Sequence, residues 1–238
     1  MRIACWSGPR NISTALMRSW SSREDTFVSD EPFYAYYLKE KQLKHPMYKE
    51  IIKCYPNEYD DVVKGLNSEI PKLKKIWYQK HMAHHLIDLN NIDWIQSFEN
   101  CILIRHPKDV ISSYIKKNTL RSVEDLGYPQ QYKIIEYLKD KGIKPIIIDS
   151  DILLNNPQDI LSKWCNHINI KFDISMLSWS LGSKSTDGIW WKHWYGNVVE
   201  STHFTNFGKK DIKIAQEYFP IYQKSFDIYQ KMYSLAIK

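Results

Sequence analysis

No stretch of this 238-residue sequence comes close to the roughly 18 consecutive apolar residues that a membrane-spanning helix requires. The apolar stretch at residues 3–6 is also too short to be the core of a signal peptide. The sequence therefore predicts a cytoplasmic protein without a membrane partner.

Cysteine is scarce and scattered. Cys5, Cys54, Cys101 and Cys165 lie far apart and form no C-x-x-C pair, and two of them sit inside apolar, strand-like runs. This pattern favours reduced, buried thiols. Glycine and proline are also sparse, at eight and ten residues, which excludes a collagen-like or linker-like chain.

A strong excess of one charge is missing as well. Lysine and arginine total 33 against 27 acidic residues, a formal net charge of +6 without the concentrated basic stripe of a nucleic-acid binder. The sequence therefore predicts no nucleic-acid partner. With 43% hydrophobic residues the chain can bury a substantial core, and we expect one domain over residues 1–238. The oligomeric state is not fixed by these features.

Short apolar runs alternate with helical patterns along the chain. The runs are continuous rather than alternating, which is typical of parallel strands that are covered on both faces. The predicted strands are residues 2–6, 27–30, 76–79, 101–104 and 145–148. The predicted helices are residues 13–20, 110–115, 132–138, 160–164 and 210–235, with a mainly helical stretch from 32 to 72. This order predicts an α/β domain of three layers, with a central, mostly parallel sheet of about five strands flanked by helices. Ligands are then expected at the carboxyl ends of the strands.

The loop after the first strand has the residues of an anion site. Backbone N–H groups at a helix start are unpaired and lie at the positive end of the helix dipole, so a phosphate fits there. Ser13 and Thr14 add hydroxyl donors, and Arg10 adds a permanent charge. The competing interpretation is a tight turn at Gly8 and Pro9, with Asn11 or Ser13 serving only to cap the helix.

This loop is a poor Walker A motif. Counted from Gly8, the second glycine, the lysine and the final hydroxyl residue of G-x-x-x-x-G-K-[ST] are replaced by Ser13, Thr14 and Ala15. The replacements weaken an ATP-binding interpretation, although a degenerate P-loop kinase stays as an alternative.

A second polar loop, residues 105–113, follows the most apolar strand. Arg105 is followed by x-P-x-D and, eight positions after the arginine, by Ser113. This pattern resembles the sulfotransferases that use 3′-phosphoadenosine 5′-phosphosulfate (PAPS), whose fold is related to that of the P-loop NTPases. The resemblance implies that Arg105 and Ser113 hold the 3′-phosphate of the nucleotide. A guanidinium is well suited to bidentate phosphate contact.

The resemblance extends to the first loop, which in that family reads P-[KR]-[ST]-G-[ST]-[ST] and holds the 5′-phosphosulfate. The present chain departs from it with Asn11 in place of a hydroxyl residue and Ile12 in place of glycine. The implied nucleotide-binding residues of this loop are Gly8, Pro9, Arg10, Asn11, Ile12, Ser13 and Thr14.

Two residues compete for the role of general base. Glu31 lies in a segment similar to the E-P segment of bacterial sulfotransferases, in which the glutamate accepts the proton of the acceptor. His81 lies in a segment similar to the K-x-H segment of cytosolic sulfotransferases, although Gln79 occupies the strict lysine position and Lys80 is its neighbour. We prefer Glu31, because a carboxylate is ionised at neutral pH, and keep His81 as the second candidate.

An aromatic segment at residues 183–195 resembles the late R-K-G-x-x-G-x-W loop of the family. The resemblance implies that Lys184 supplements Arg105 at the 3′-phosphate and that Trp190 or Trp191 stacks on adenine or on the acceptor. The alternative is that these aromatic side chains anchor the C-terminal helix.

The resemblance implies an enzyme that transfers a sulfuryl group from PAPS to a hydroxyl or amine of a small acceptor molecule, leaving 3′-phosphoadenosine 5′-phosphate (PAP). Arg10, with Lys80, is expected to assist the leaving phosphate. No metal is expected, since the spacing of His81 and His84 lacks a third ligand. A non-catalytic nucleotide-binding module is the remaining alternative, and the acceptor is not identified.

Overall fold

The computed structural model describes residues 1–89, 91–206, 208 and 212–238. Within these residues the chain forms one sheet of five parallel strands in the order β2-β3-β1-β4-β5. The strands are β1 (Arg2–Ser7), β2 (Thr26–Asp30), β3 (Ile76–Met82), β4 (Glu99–Ile104) and β5 (Ile146–Asp149). The predicted fold class, a three-layer α/β domain with about five strands, is confirmed.

Helices cover both faces of the sheet. The α-helices of the described residues are α1 (Ser13–Ser21), α2 (Tyr34–Glu40), α3 (Tyr48–Cys54), α4 (Tyr59–Leu66), α5 (Pro107–Tyr114), α6 (Tyr128–Asp140), α7 (Ser150–Asn155), α8 (Pro157–His167), α9 (Trp191–Trp194), α10 (Gly196–Val199) and α11 (Phe219–Tyr233). Short 3₁₀ turns, among them Ala83–His85 and Val123–Leu126, connect several of these elements.

Alternation along β1 divides the core into two layers. Ile3 and Cys5 pack with α1, α7 and α8 on one face, whereas Ala4 and Trp6 pack with α5, α6 and α11 on the other. These four side chains are fully buried. Because both faces of the strand are covered, its sequence is apolar without interruption.

Several element boundaries differ from the prediction, most importantly the end of β3 and the start of the C-terminal helix. β3 runs to Met82 rather than ending at residue 79, so Lys80 and His81 lie on the strand and not in the loop behind it. The C-terminal α-helix begins at Phe219, where the prediction began it at 210, and residues 210 and 211 lie outside the described part.

Among the described residues, no helix is both long enough and apolar enough to cross a bilayer. All four cysteines are free. Cys5, Cys101 and Cys165 are buried as the sequence predicted, whereas Cys54, at the end of α3, is exposed, contrary to that prediction.

The first loop is held in place by a close backbone contact at Gly8. A Cβ built on this residue would lie 2.3 Å from the carbonyl oxygen of Leu126, closer than carbon and oxygen atoms that are not bonded to each other approach. The next residue, Gly127, has a positive φ of 79° and turns the chain away beside it. Glycine at position 8 is therefore required by packing between the first loop and the segment that precedes α6.

Gly8→Ala is expected to destabilise the protein by about 1–3 kcal/mol, since backbone rather than a movable side chain blocks the added methyl group. The free energy of unfolding in urea measures the loss. Gly65→Ala is the matched control, because no atom lies within 4 Å of its Cβ position in α4, and alanine there is expected to stabilise the helix by about 0.5–1 kcal/mol. Equal effects of the two substitutions would contradict the packing account.

Candidate active site

A cleft of about 910 Å³ opens at the carboxyl ends of the central strands. This position agrees with the rule that ligands of parallel α/β sheets bind where neighbouring connections leave in opposite directions, here on either side of β1. Both loops selected from the sequence line the cleft. The predicted site residues that line it are Pro9, Arg10, Asn11, Ile12, Ser13, Thr14, Glu31, Lys80, Arg105 and Ser113.

The first loop keeps the backbone shape that a glycine would favour. Ile12 has φ 58° and ψ 16°, in the left-handed region, at the position where the family pattern has glycine. Arg10 is also left-handed, with φ 64°. A left-handed conformation costs a non-glycine residue about 1–2 kcal/mol, so surrounding contacts must maintain the loop.

Asn11 supplies such contacts. Its side-chain amide donates to the carbonyl of Leu103 on β4 over 3.0 Å, and its own carbonyl accepts from the Ser150 hydroxyl over 3.1 Å. Asn11 therefore anchors the loop to the sheet.

No side chain caps the start of α1. Ile12 occupies the capping position without a side-chain hydrogen bond, so the expectation that Asn11 or Ser13 caps this helix is wrong. Uncapped N–H groups at a helix start remain donors for an anion. Because Ser13 and Thr14 line the cleft beside them, the first turn of α1 has the donor set of a phosphate site.

The two loops meet through their charged side chains. The Arg10 Nε donates to the Ser113 hydroxyl over 2.8 Å, and the Arg105 Nη1 donates to the Arg10 carbonyl over 2.9 Å. Burial and then the charge of Arg105 lower the pKa of Arg10. Asp109 approaches Arg105 only to 4.0 Å, and in the described part of the chain no carboxylate pairs with Arg10. Two guanidinium groups thus share one end of the cleft with little compensating charge.

Glu31 lies at another edge of the cleft, directly after β2. Its backbone is left-handed, with φ 42°, and its N–H donates to the carbonyl of Lys80 over 2.9 Å. The Lys80 ammonium contacts the Glu31 carboxylate at 2.6 Å and the Asp30 carboxylate at 2.9 Å. Burial raises the pKa of Glu31, while Lys80 opposes the shift. Burial disfavours the ammonium of Lys80, but Asp30 and Glu31 more than compensate and raise its pKa.

Tyr195 closes this buried network from the aromatic segment. Its hydroxyl contacts the Lys80 ammonium at 2.8 Å and donates to the Asp30 carboxylate at 2.6 Å. The backbone N–H of Gly188 donates to the same carboxylate over 3.0 Å. A buried ion pair between Arg18 of α1 and Asp187, at 2.6 Å, fixes the preceding turn. The aromatic segment is therefore attached to α1 and to the ends of β2 and β3.

His81 does not line the cleft. Because it follows Lys80 on β3, its side chain lies on the opposite face of the sheet, where it stacks on Trp6 at 4.3 Å. It is 1% exposed, and burial lowers its pKa to about 3. This position argues against His81 as the base, a role that only the resemblance to the K-x-H segment had suggested.

Two further site expectations disagree with the geometry. The Lys184 ammonium donates to the Ser180 hydroxyl and to the Leu181 carbonyl, and Lys184 is not among the residues that line the cleft. Trp190 is 1% exposed and packs against the rings of Tyr34 and Tyr55, at 5.0 and 5.2 Å, so it is not free to stack on a nucleotide. The alternative, that these aromatic side chains anchor the C-terminal helix, is also wrong for Trp190, because Trp190 packs against α2 and α3.

The individual residues that line the cleft beside Glu31 were not predicted from the sequence. Tyr34 and Tyr37 from α2, with His84 and His85 from the turn after β3, line it. The His85 ring stacks on Tyr34 at 5.0 Å and on Tyr37 at 4.6 Å. The adjacent histidines 84 and 85 lie in the same sequence segment, but the resemblance to the K-x-H segment pointed to residue 81 instead.

Comparisons with known proteins agree with this architecture. A family model described as Sulfotransferase domain matches residues 1–235. Branched-chain-amino-acid aminotransferase-like protein 1 of Arabidopsis thaliana is 34% identical over 208 residues, which cover 86% of this chain and 36% of that protein. The protein named as number 2 of the same kind is 34% identical over 205 residues, with the same coverage. The chain thus spans about a third of the length of these curated relatives.

Solved structures show the same fold at low sequence identity. The sulfotransferase domain from the curacin biosynthetic pathway matches with a TM-score of 0.57 and 15% identity, covering 99% of this chain and 98% of that one. A sulfotransferase from Alicyclobacillus acidocaldarius matches with a TM-score of 0.55 and 10% identity, covering 98% and 96%. The family match over nearly the whole chain, together with this shared fold, shows that the chain belongs to the sulfotransferase family.

Proposed function

We propose that this chain transfers the sulfuryl group of PAPS to a hydroxyl or amine of a small acceptor molecule. The observation that carries the proposal is the meeting of Arg10, Ser113 and Arg105 at one end of the cleft, with Arg10 Nε 2.8 Å from the Ser113 hydroxyl. Two guanidiniums placed together with so little compensating charge favour a ligand that carries more than one anionic group.

The residues present fit the two charged ends of PAPS. The uncapped start of α1, with Ser13 and Thr14, offers donors for the 5′-phosphosulfate, and Arg10 adds its charge there. Arg105 and Ser113 would hold the 3′-phosphate. The Arg105 Nε is buried without a partner among the described residues, so a donor remains available for this contact.

When bound, PAPS supplies the sulfuryl group that passes to the acceptor. The role of Arg10 and the α1 amides is to stabilise negative charge at the 5′ end, where it increases during transfer. We assign Glu31 as the group that takes the proton of the acceptor, since this residue lines the cleft. Lys80 fixes the position of that carboxylate through its 2.6 Å contact, and we assign it this positioning role besides any contact with the leaving group.

The nucleotide assignment predicts selectivity for the 3′-phosphate. PAP is expected to bind more tightly than adenosine 5′-phosphate in isothermal titration. Arg105→Gln is expected to weaken the binding of PAP by about 10- to 100-fold, because a hydrogen bond to a charged group contributes about 1.5–3 kcal/mol. The affinity for adenosine 5′-phosphate is expected to change little.

The control for this experiment is Lys133→Gln, which removes one charge from the exposed side of α6. It should leave both affinities unchanged. Equal losses for the two nucleotides after Arg105→Gln would refute the assignment of Arg105 to the 3′-phosphate. Failure of PAP to bind better than adenosine 5′-phosphate would refute PAPS as the donor.

Glu31→Gln is expected to lower the rate of sulfuryl transfer by about 10²- to 10⁴-fold, the usual contribution of a general base, with PAP affinity unchanged. The acceptor is first found by incubating the protein with PAPS and a library of hydroxyl and amine metabolites and detecting sulfated products by mass spectrometry. His81→Gln serves as the comparison, since His81 lies on the other face of the sheet. A larger rate loss for His81→Gln than for Glu31→Gln would reverse the choice of base.

The pKa of Glu31 also sets the pH dependence expected for kcat/KM of sulfuryl transfer. Burial raises this pKa, and the carboxylate must be ionised to accept a proton, so kcat/KM is expected to rise with pH through a value above the usual range of glutamate and then level off. Initial rates of the wild-type protein and of Glu31→Gln between pH 4 and 8 test this. The proposal fails if the rising limb persists unchanged in the variant.

A further inference from the structure

We call the part of the cleft beside Glu31 that is lined by residues not assigned to the nucleotide the second compartment. Its first wall is formed by Tyr34, Tyr37, His84 and His85. Its second wall comes from the segment between α5 and α6, which also lines the cleft and touches the first wall where a Cβ on Gly127 would lie 3.8 Å from the Nδ1 of His84. The total cleft volume of about 910 Å³ is near the upper end of the roughly 300–1,000 Å³ range of small-molecule sites. There is thus room for an acceptor next to a nucleotide.

The first wall carries no charge at neutral pH. Burial, with a smaller effect of His45, lowers the pKa of His84 to about 3. Burial lowers the pKa of His85 well below its usual value. Tyr37 stays protonated, because burial and the nearby Asp125 raise its pKa to about 12. Its ring meets the His84 ring edge-on at 5.3 Å. This wall therefore suits the uncharged body of an acceptor.

The second wall, in the segment between α5 and α6, carries several positively charged side chains. Lys116, Lys117 and Arg121 line the cleft from this segment and are exposed, and Lys44 joins them from the loop after α2. Lys117 reaches the aromatic segment beside the compartment, where its ammonium donates to the carbonyl of His193 over 2.9 Å. That bond uses one of three N–H donors and leaves two for a ligand.

The acidic group near these cations is already engaged. Asp125 Oδ2 accepts from the backbone N–H of Arg121 over 2.8 Å and from that of Ser122 over 3.1 Å. Within the part of the chain that the structure describes, no carboxylate pairs with the side chains of Lys117 or Arg121. The acceptor side of the cleft thus has an excess of positive charge that internal ion pairs do not neutralise.

We propose that the acceptor is a hydroxyl compound with a negatively charged group, a carboxylate or a phosphate, which Lys117 and Arg121 bind while the hydroxyl faces Glu31. This inference rests on the proposed sulfuryl transfer. The charge complementarity selects the acceptor, and the uncharged wall of tyrosines and neutral histidines contacts the remainder of the molecule.

Three phenols that differ only in charge test the proposal: 4-hydroxyphenylacetate, 4-hydroxyphenylacetamide and tyramine. Their affinities are measured by titration into the protein saturated with PAP, and their transfer rates with PAPS. The anion is expected to bind at least about tenfold more tightly than the amide, a charge effect of ordinary size, and tyramine is expected to bind least. Glycerol 3-phosphate against glycerol is the matching pair for a phosphate.

Lys117→Gln and Arg121→Gln are each expected to reduce the advantage of the anion, and the double variant is expected to abolish it. Affinities for the amide and for PAP should stay the same. Lys133→Gln, an equal loss of charge outside the cleft, should preserve the preference for the anion. The preference should also weaken as salt is raised from 0.05 to 0.5 M, because exposed charges are screened.

The acceptor assignment is overturned if the amide or tyramine binds the PAP complex as tightly as the anion. It is also overturned if the double variant keeps the preference, or if neither 4-hydroxyphenylacetate nor glycerol 3-phosphate binds. These results are distinguishable from a failure of the proposed function, because in that case PAP itself does not bind. Preference for glycerol 3-phosphate over 4-hydroxyphenylacetate would identify the charged group as a phosphate.

Discussion

The buried ammonium of Lys80 joins the parts of the molecule on which the candidate active site depends. It contacts carboxylates at the end of β2 and the hydroxyl of Tyr195. An unpaired charge in this position would be costly, since a buried ion loses several kcal/mol of hydration. The ion contacts therefore hold the end of β2, the end of β3 and the aromatic segment in one arrangement. Glu31 owes its position in the cleft to that arrangement, despite a left-handed backbone that is unfavourable for glutamate.

At the opposite end of the cleft, charges are left largely uncompensated. There Arg10 and Arg105 are brought together with little compensating charge, and the start of α1 is left without a cap. Ile12 and Arg10 keep the left-handed backbone that presents these donors, and contacts of Asn11 with β4 maintain it. The departures from the family pattern at residues 11 and 12 thus alter the side chains of the loop while its backbone retains a shape that can surround an anion.

The charged groups of the cleft fall into separate sets. Under the proposed function, the arginines with the helix amides bind the nucleotide, Glu31 with Lys80 faces the reacting hydroxyl, and Lys117 and Arg121 bind the charged group of the acceptor. The proposal thus assigns acceptor preference to the segment between α5 and α6, apart from the two nucleotide loops. The solved structures share the fold at 10–15% sequence identity.

The sequence by itself determined the fold class, the five strands and the two loops, because continuous apolar runs and a strand-to-helix loop with anion donors are local patterns. It also selected Arg10, Arg105, Ser113 and Glu31, which line the cleft, because these residues lie in the segments that follow strands. The tertiary structure alone decided which histidines line the cleft. β3 ends three residues later than the sequence predicted, so His81 lies on the strand, on the face of the sheet opposite Lys80. The end of a strand is set by pairing with its neighbours rather than by local propensity. Lys184 and Trp190 were likewise misplaced, since the path of an irregular segment depends on long-range contacts such as Arg18 with Asp187 that no local pattern encodes.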